Sequence, residues 1–374
     1  MARLGDVCDV RDGTHDSPVY IDRGFPLVTS KNIINGKLDL SVVNYISPED
    51  YNKINERSNV ECGDIIMPMI GTIGNPYIVG DFTDFAIKNV ALIKFNNEQI
   101  NNKYIYHFLN SEKFNKYVAE NNRGGTQKFL SLKDIRNLEV EVPSLKEQLI
   151  IIEKLDGLNE LILSRKQQLS KLDELVKARF VEMFGNVDKE DILINLCNFI
   201  DYRGKTPEKV ESGLPFITAK NIKMHYMSFD TQEFISKETY DKVMTRGFPR
   251  IGDVVFTTEA PLGNVCRIPY IDTEFYIGQR IITMQTECLE PAYLEYALSS
   301  EEFKRKLIEK SSGSTVTGIR SKLLEQLTIP VPNMEMQKQF ADFVKQIDKS
   351  KFEVQQSLEK LETLKKSLMQ QYFG

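Results

Sequence analysis

Apolar residues recur at alternating spacings of three and four through the middle of the chain: Ile151, Leu155, Leu158, Ile162, Leu169, Leu172 and Val176. That period sets them along one stripe of a helix, interrupted only by Arg165. A continuous helix from Lys146 to Phe184 is roughly 58 Å long at about 1.5 Å per residue, well beyond the usual globular length. A stripe this long needs a partner to cover it. The partner lies 189 residues further on, where Val344, Ile347, Val354, Leu358, Leu361 and Leu368 repeat the stripe with Lys351 as its polar interruption. Two stripes at one offset predict that the helices pair with each other inside the chain.

The same offset of 189 aligns the rest of the chain. Cys8 meets Cys197, Pro26 meets Pro215, and Lys31-Asn32-Ile33 meets Lys220-Asn221-Ile222. Gly63-Asp64 and Gly74-Asn75 meet Gly252-Asp253 and Gly263-Asn264. Tyr104, Leu109 and Phe114 meet Tyr293, Leu298 and Phe303, and the helix ends Phe184-Gly185 and Phe373-Gly374 also match. A period this long marks a duplicated domain and not a solenoid.

Within each copy, alternating apolar positions bounded by turn residues predict strands at 25–29, 63–70, 77–80 and 86–95. Helical spacing follows over 102–118, then a polar loop, a short helix and a strand at 138–142. Pro143 and Pro332 mark where each globular part gives way to its helix. The predicted fold class is α+β, with two similar domains each followed by a long helix, the helices pairing as an antiparallel coiled coil. The predicted parts are a first globular domain over 1–143, a central helical region over 144–185, a second globular domain over 186–332 and a C-terminal helical region over 333–374.

Composition narrows the function. Apolar residues make up 41% of the 374, enough for two or three cores, and no run of 18 apolar residues predicts a membrane span. The chain opens directly into folded-looking sequence with no signal peptide, and five cysteines without CxxC spacing fit buried thiols in a reducing cytoplasm. A net charge of -5 argues mildly against nucleic acid, although acidic helices can coexist with a basic cleft. Catalysis leaves no mark. His15, His107 and His225 do not cluster with other metal ligands, no phosphate-binding glycine motif is present, and Gly74-Asn75-Pro76-Tyr77 is read as a turn.

Binding candidates are richer. The segment 121–128 joins Arg123, Gly124, Gly125, Thr126, Gln127 and Lys128, and its counterpart at 310–317 supplies Ser312, Ser314, Thr315 and Thr317. Glycines allow close approach, hydroxyls suit phosphate oxygens, and Arg or Gln can address base edges. Near the start of each copy, Arg11, Thr14 and His15 are replaced by Arg203, Lys205 and Thr206, while Lys31-Asn32 recurs as Lys220-Asn221. Lys88 stands where the second copy carries Gln279-Arg280. Framework positions agree between copies and these loops differ, as two readers of different short sequences require.

Val142-Pro143 with Gln148, Val331-Pro332 with Gln337, Gly63-Asp64-Ile65-Ile66 with Gly252-Asp253-Val254-Val255, and the Phe-Gly helix ends together resemble the specificity subunit of type I restriction-modification systems. The resemblance covers essentially the whole chain. Leu193-Ile194-Asn195-Leu196 departs from it, where the first copy has Leu4-Gly5-Asp6-Val7. The resemblance implies a noncatalytic subunit in the cytoplasm whose two globular domains each read one half of a split, asymmetric site on double-stranded DNA, held apart by the paired helices. Two methyltransferase subunits, carrying S-adenosylmethionine, dock on the helical regions, and endonuclease subunits using ATP and Mg join for cleavage. Two alternatives remain: an enzyme with an unrecognised site, and a scaffold that reads no sequence. A helix pair of this length suits domains set over major-groove faces about 34 Å apart.

Overall fold

The computed structural model describes residues 1–121, 129–204, 206–311 and 318–374. The chain forms two compact units. One joins Met1–Lys166 to Gln356–Gly374, and the other is Gln167–Gln355. Each unit thus contains a globule, the first half of the helix that follows it, and the last half of the other long helix.

The two globules share one topology. In the first, Asp9–Asp12, Val90–Lys94, Ile65–Pro68 and Tyr77–Ile78 form a four-stranded antiparallel sheet in that order. A second sheet places Phe25–Val28 between the antiparallel Asn44–Ile46 and the parallel Ala86–Ile87. The second globule repeats both sheets with Asn198–Asp201, Ile281–Gln285, Val254–Thr257 and Val265–Arg267, and with Phe234–Ile235, Leu214–Ile217 and Tyr276–Ile277. The central strands Ile65–Pro68 and Val254–Thr257 are buried along their whole length, as expected of strands covered on both faces.

Two predicted elements are divided. The strand predicted at 86–95 is two strands belonging to different sheets, Ala86–Ile87 and Val90–Lys94. Asn89 turns the chain between them at φ +56°, a conformation that asparagine tolerates better than branched residues. The helix predicted over 102–118 breaks into Asn102–Phe108 and Glu112–Asn121. Buried Ser111 restarts it, its Oγ accepting from the backbone N–H of Phe114 at 3.2 Å. Apolar spacing continued across both breaks, and the short polar residues that cause them were the signal overlooked.

The long helices occur as predicted, Leu145–Phe184 and Met334–Phe373. Ser144 and Glu147 cap the first reciprocally, and Asn333 Oδ1 accepts from Met336 N–H at 2.9 Å to cap the second. Within the first unit, Lys154 contacts Tyr372 at 3.3 Å and Lys166 pairs with Glu362 at 2.9 Å. Within the second, Asp173 pairs with Lys351 at 2.5 Å and Phe184 packs on Phe340 at 5.4 Å between ring centres. As residue number rises along one helix it falls along the other, so the two run antiparallel. Leu155, Leu158, Ile162, Val176, Val344, Val354 and Leu358 are buried, whereas Leu169, Leu172, Ile347, Leu361 and Leu368 are half-buried.

The helix ends complete the globular cores. Phe373 enters the first core against Tyr104 and Phe108, at 5.3 and 5.9 Å between ring centres. Phe184 enters the second against Tyr293, at 4.8 Å. The matching Phe-Gly pairs are therefore plugs, each closing the globule that its own helix does not follow. Gln148 and Gln337 anchor the other ends. Gln148 Oε1 accepts from Asn101 N–H while its amide donates to the Gln99 and Pro143 carbonyls. Gln337 accepts from Glu290 N–H and donates to the Pro332 carbonyl. Both are fully buried.

Candidate nucleic-acid interface

The loop after strand Asp9–Asp12, and after Asn198–Asp201 in the second globule, is held by one arginine found at the repeat offset. In the first globule, strand Asp9–Asp12 delivers Asp12 into the interior, where it is 3% exposed. Arg57, just after the helix Pro48–Asn55, pairs with one carboxylate oxygen of Asp12, and His15 Nε2 lies 2.8 Å from the other. His15 Nδ1 faces Asn89 Oδ1 at 3.0 Å. These hydrogen bonds, Asn89's first and Asp12's next, raise the His15 pKa above its ordinary value of 6.5. Gly13 makes the turn possible, because a Cβ there would meet the Ile87 carbonyl oxygen at 1.9 Å. Thr14 Oγ1 accepts from Asp16 N–H at 3.1 Å, and Lys88 Nζ donates to Ser17 Oγ at 2.6 Å.

These residues line a groove of about 500 Å³ formed by Thr14 to Pro18 on one wall and Asp50, Lys53, Ile54 and Arg57 on the other. The structure brings Thr14 and His15 together there, with Lys88 beside them. Arg11 turns to Asp9 instead, its Nε donating at 2.8 Å, and also reaches the Arg57 carbonyl. Arg57 and Lys53 were missed in the sequence. The repeat carried the signal, since Arg246 and Lys242 stand at the same offset of 189.

The groove in the second globule shares only the loop after Asn198–Asp201 with the first and is otherwise walled by other segments. Arg203, Gly204, Thr258, Glu259, Gln279, Arg280, Gly318, Ile319 and Arg320 enclose about 390 Å³. Arg246 Nη1 donates to the carbonyls of Asp201, at 2.7 Å, and Arg203, at 3.1 Å, so a guanidinium holds this loop directly. Arg203 Nη2 reaches the Ile319 carbonyl at 3.4 Å, and Arg280 Nε pairs with Glu259 at 3.1 Å. The predicted Arg203, Gln279 and Arg280 are thus brought together, with Arg320 as an unpredicted fourth member. Thr206 is exposed nearby in sequence but does not line the groove.

Asn32 and Asn221 have internal tasks. Asn32 Oδ1 accepts from the Thr29 N–H and hydroxyl, and its amide donates to the Asp39 and Val42 carbonyls. Asn221 makes the same four bonds with Thr218, Ser228 and Thr231. Both are buried and their hydrogen-bonding capacity is spent on their own loops, so of each Lys-Asn pair only the exposed Lys31 or Lys220 faces outward. Asn75 and Asn264 likewise tie their hairpins to the Ile33 and Ile222 carbonyls, which accounts for the Gly-Asn turns. Arg123, Gly124, Gly125, Thr126, Gln127, Lys128, Lys205, Ser312, Ser314, Thr315 and Thr317 lie outside the described residues.

Among the described residues no three His, Cys, Asp or Glu side chains converge as a metal site, and no helix is long and apolar enough to cross a membrane. Burial pushes the thiols of Cys8, Cys197 and Cys266 up to about 12, leaving them protonated at neutral pH.

Comparison with known sequences decides the family. The pattern of the type I restriction modification DNA specificity domain matches twice, over residues 1–174 and 193–365. The chain belongs to that family. Among specificity-family relatives, the putative type I restriction enzyme MjaX specificity subunit of Methanocaldococcus jannaschii is 24% identical over 92% of this chain and 85% of its own length. The type I restriction enzyme EcoBI specificity subunit of Escherichia coli is 23% identical over 94% of this chain and 79% of its own. The crystal structure of a type I restriction-modification system S subunit from M. genitalium shares the fold, with a TM-score of 0.58 at 15% identity, covering 100% of this chain and 95% of that one. A chain from a structural study of complex assembly and conformational transition in the type I R-M system gives a TM-score of 0.59 at 20% identity, covering 100% and 96%.

Proposed function

We propose that this chain is the DNA-recognition subunit of a type I restriction-modification complex, each globule reading one half of a bipartite, asymmetric site. One observation carries the reading: the two globules agree in framework side chains and differ in the loop after strands Asp9–Asp12 and Asn198–Asp201, which lines a polar groove in each. Asn32 and Asn221, Gln148 and Gln337, and Tyr104 and Tyr293 keep corresponding partners, while Thr14, His15 and Ser17 line the first groove and Arg203, Gln279, Arg280 and Arg320 line the second. Fixed scaffolds with divergent polar grooves suit two different base sequences. Guanidinium and amide groups suit bidentate contacts to base edges, and lysines suit phosphates.

In this reading the paired helices set the spacing between half-sites. Two methyltransferase subunits, which bind S-adenosylmethionine, dock on the helical regions and adjacent surfaces. Endonuclease subunits using ATP and Mg join them in the cytoplasm, and the chain itself contributes recognition without catalysis. Arg280→Ala in the assembled methyltransferase is expected to weaken recognition of one half-site by about 1–3 kcal/mol and leave the other unchanged. Binding assays with duplexes scrambled in either half measure this. Equal weakening on all DNA makes Arg280 a phosphate contact, and no effect on either half removes it from the interface. Arg123→Ala in the first globule is expected to behave in the same half-selective way.

A further inference from the structure

We propose that His15 is a positioning residue, an imidazolium that clamps the first globule's groove loop through Asp12 and Asn89 and so makes recognition by this globule, but not by the second, dependent on pH. The proposal rests on the reading of the grooves as DNA-facing.

With Asn89 presenting its amide oxygen, the geometry suits two protons on one ring. Nε2 faces a carboxylate oxygen at 2.8 Å and Nδ1 faces an amide oxygen at 3.0 Å. Both partners are acceptors, so a neutral ring can satisfy only one of them. Asp12 is buried and already tied to Arg57, which fixes one end of the clamp to the sheet. Asn89 sits at the crossing between the two sheets, and its N–H donates to the Thr14 carbonyl at 3.3 Å, which fixes the other end. Charged neighbours come from every wall: Asp16 on the loop, Lys88 through Ser17, and Asp50, Lys53 and Arg57 opposite. The hydrogen bonds to Asn89 and then to Asp12 outweigh burial and the nearby Arg57 charge, and the His15 pKa is raised in consequence.

Among the described residues of the second globule there is no such device. Thr206 stands where the aligned loop of the first copy has His15, and Arg246 clamps the loop by donating to the Asp201 and Arg203 carbonyls. A guanidinium keeps its charge throughout the working pH range. Both globules thus brace this loop with a permanent guanidinium, Arg57 or Arg246, and the first adds a titratable cation, His15. When His15 loses its proton, one of its two hydrogen bonds is lost and the loop from Gly13 to Pro18 is released from either Asn89 or Asp12.

The chain has three histidines, which makes selective labelling informative. Nitrogen-15 histidine spectra of the full chain, assigned with His15→Gln, are expected to show His15 mainly as the imidazolium at about pH 6.5, where an unperturbed histidine is half protonated. A neutral tautomer at and below about pH 6.5 would overturn the clamp. The functional arm uses the complex with its methyltransferase partner and duplexes scrambled in one half at a time. Discrimination at the half read by residues 1–143 is expected to fall about fivefold as pH rises past the ordinary histidine value of about 6.5 and the imidazolium is lost. Discrimination at the other half should stay level, and His15→Gln should flatten the first profile. Half-site discrimination that varies identically in His15→Gln rejects the proposal while leaving two-site recognition intact. Discrimination at neither half, at any pH, rejects the recognition reading itself, and the nitrogen spectra still decide the clamp.

Discussion

A buried lysine shows how one residue can be interchangeable between the copies and still be costly to remove. Lys94, at the end of strand Val90–Lys94, donates to the Asn59 carbonyl and pairs with Glu61 and Asp64, all within 2.8 Å. In the second globule Gln285 fills the same place, donating to the Phe248 carbonyl at 3.1 Å and Asp253 at 2.6 Å. Lys94→Met is expected to cost about 3–5 kcal/mol, because it strands a buried carboxylate. Lys94→Gln should cost markedly less; equal losses in urea unfolding would contradict the equivalence. A histidine sets a second residue-scale expectation. His107 is buried, and burial pushes its pKa below 6.5 although its Nε2 meets Asp156 at 2.8 Å. The folded chain resists protonating it, so this contribution is fully present above the unfolded value of about 6.5 and is lost as pH falls below it. His15 acts in the opposite sense, since its raised pKa favours the folded charged form below 6.5 and its contribution is lost as pH rises through the folded value. Melting of the first unit in His107→Gln should depend less on pH on the acid side of neutrality, and an unchanged dependence would exclude His107 as its source.

At the scale of elements, the helix ends matter as much as the helix stripes. Phe373 is 5% exposed and lies against Tyr104 and Phe108. Phe373→Ala is expected to destabilise the first unit by about 3–5 kcal/mol and leave amide protection in the second unit unchanged. Hydrogen exchange resolves the two, and loss confined to frayed helix ends would show that the plug carries no core energy. The stripes, the prolines and the matching Phe-Gly pairs were all legible in the sequence, because long-range burial leaves a helical period and a repeat reproduces it. The reason for Gln148 and Gln337 was not legible, since their partners are backbone groups 49 and 47 residues away in sequence. The breaks at Asn89 and Ser111 were hidden because apolar spacing runs through them. In the grooves, Arg203, Gln279 and Arg280 were found from loop divergence, whereas Arg57 was passed over because it matches its counterpart. Its conserved task across the repeat is holding the loop, a role that agreement between copies marks better than difference does. Asn32 and Asn221 illustrate the same point, for their agreement reflects identical internal bonding.

At the scale of the molecule, duplication explains how one chain can carry two specificities. Each unit spends its matched residues on closing a core, capping a helix and bracing a loop, and unmatched residues such as His15 and Arg280 contribute to its groove. Exchange of the groove residues therefore leaves the packing that defines each unit untouched. The central claim is that the two units read different halves of one site, and it is tested most directly by the methylome of cells expressing this chain with its methyltransferase partner. The account predicts methyladenine in a split, asymmetric motif that disappears without this chain, with only one half of the motif changing when residues 1–143 are exchanged for those of another family member. An active methyltransferase in a stable complex that yields no motif, or an exchange that alters both halves together, would contradict it and leave the chain a scaffold that reads no sequence.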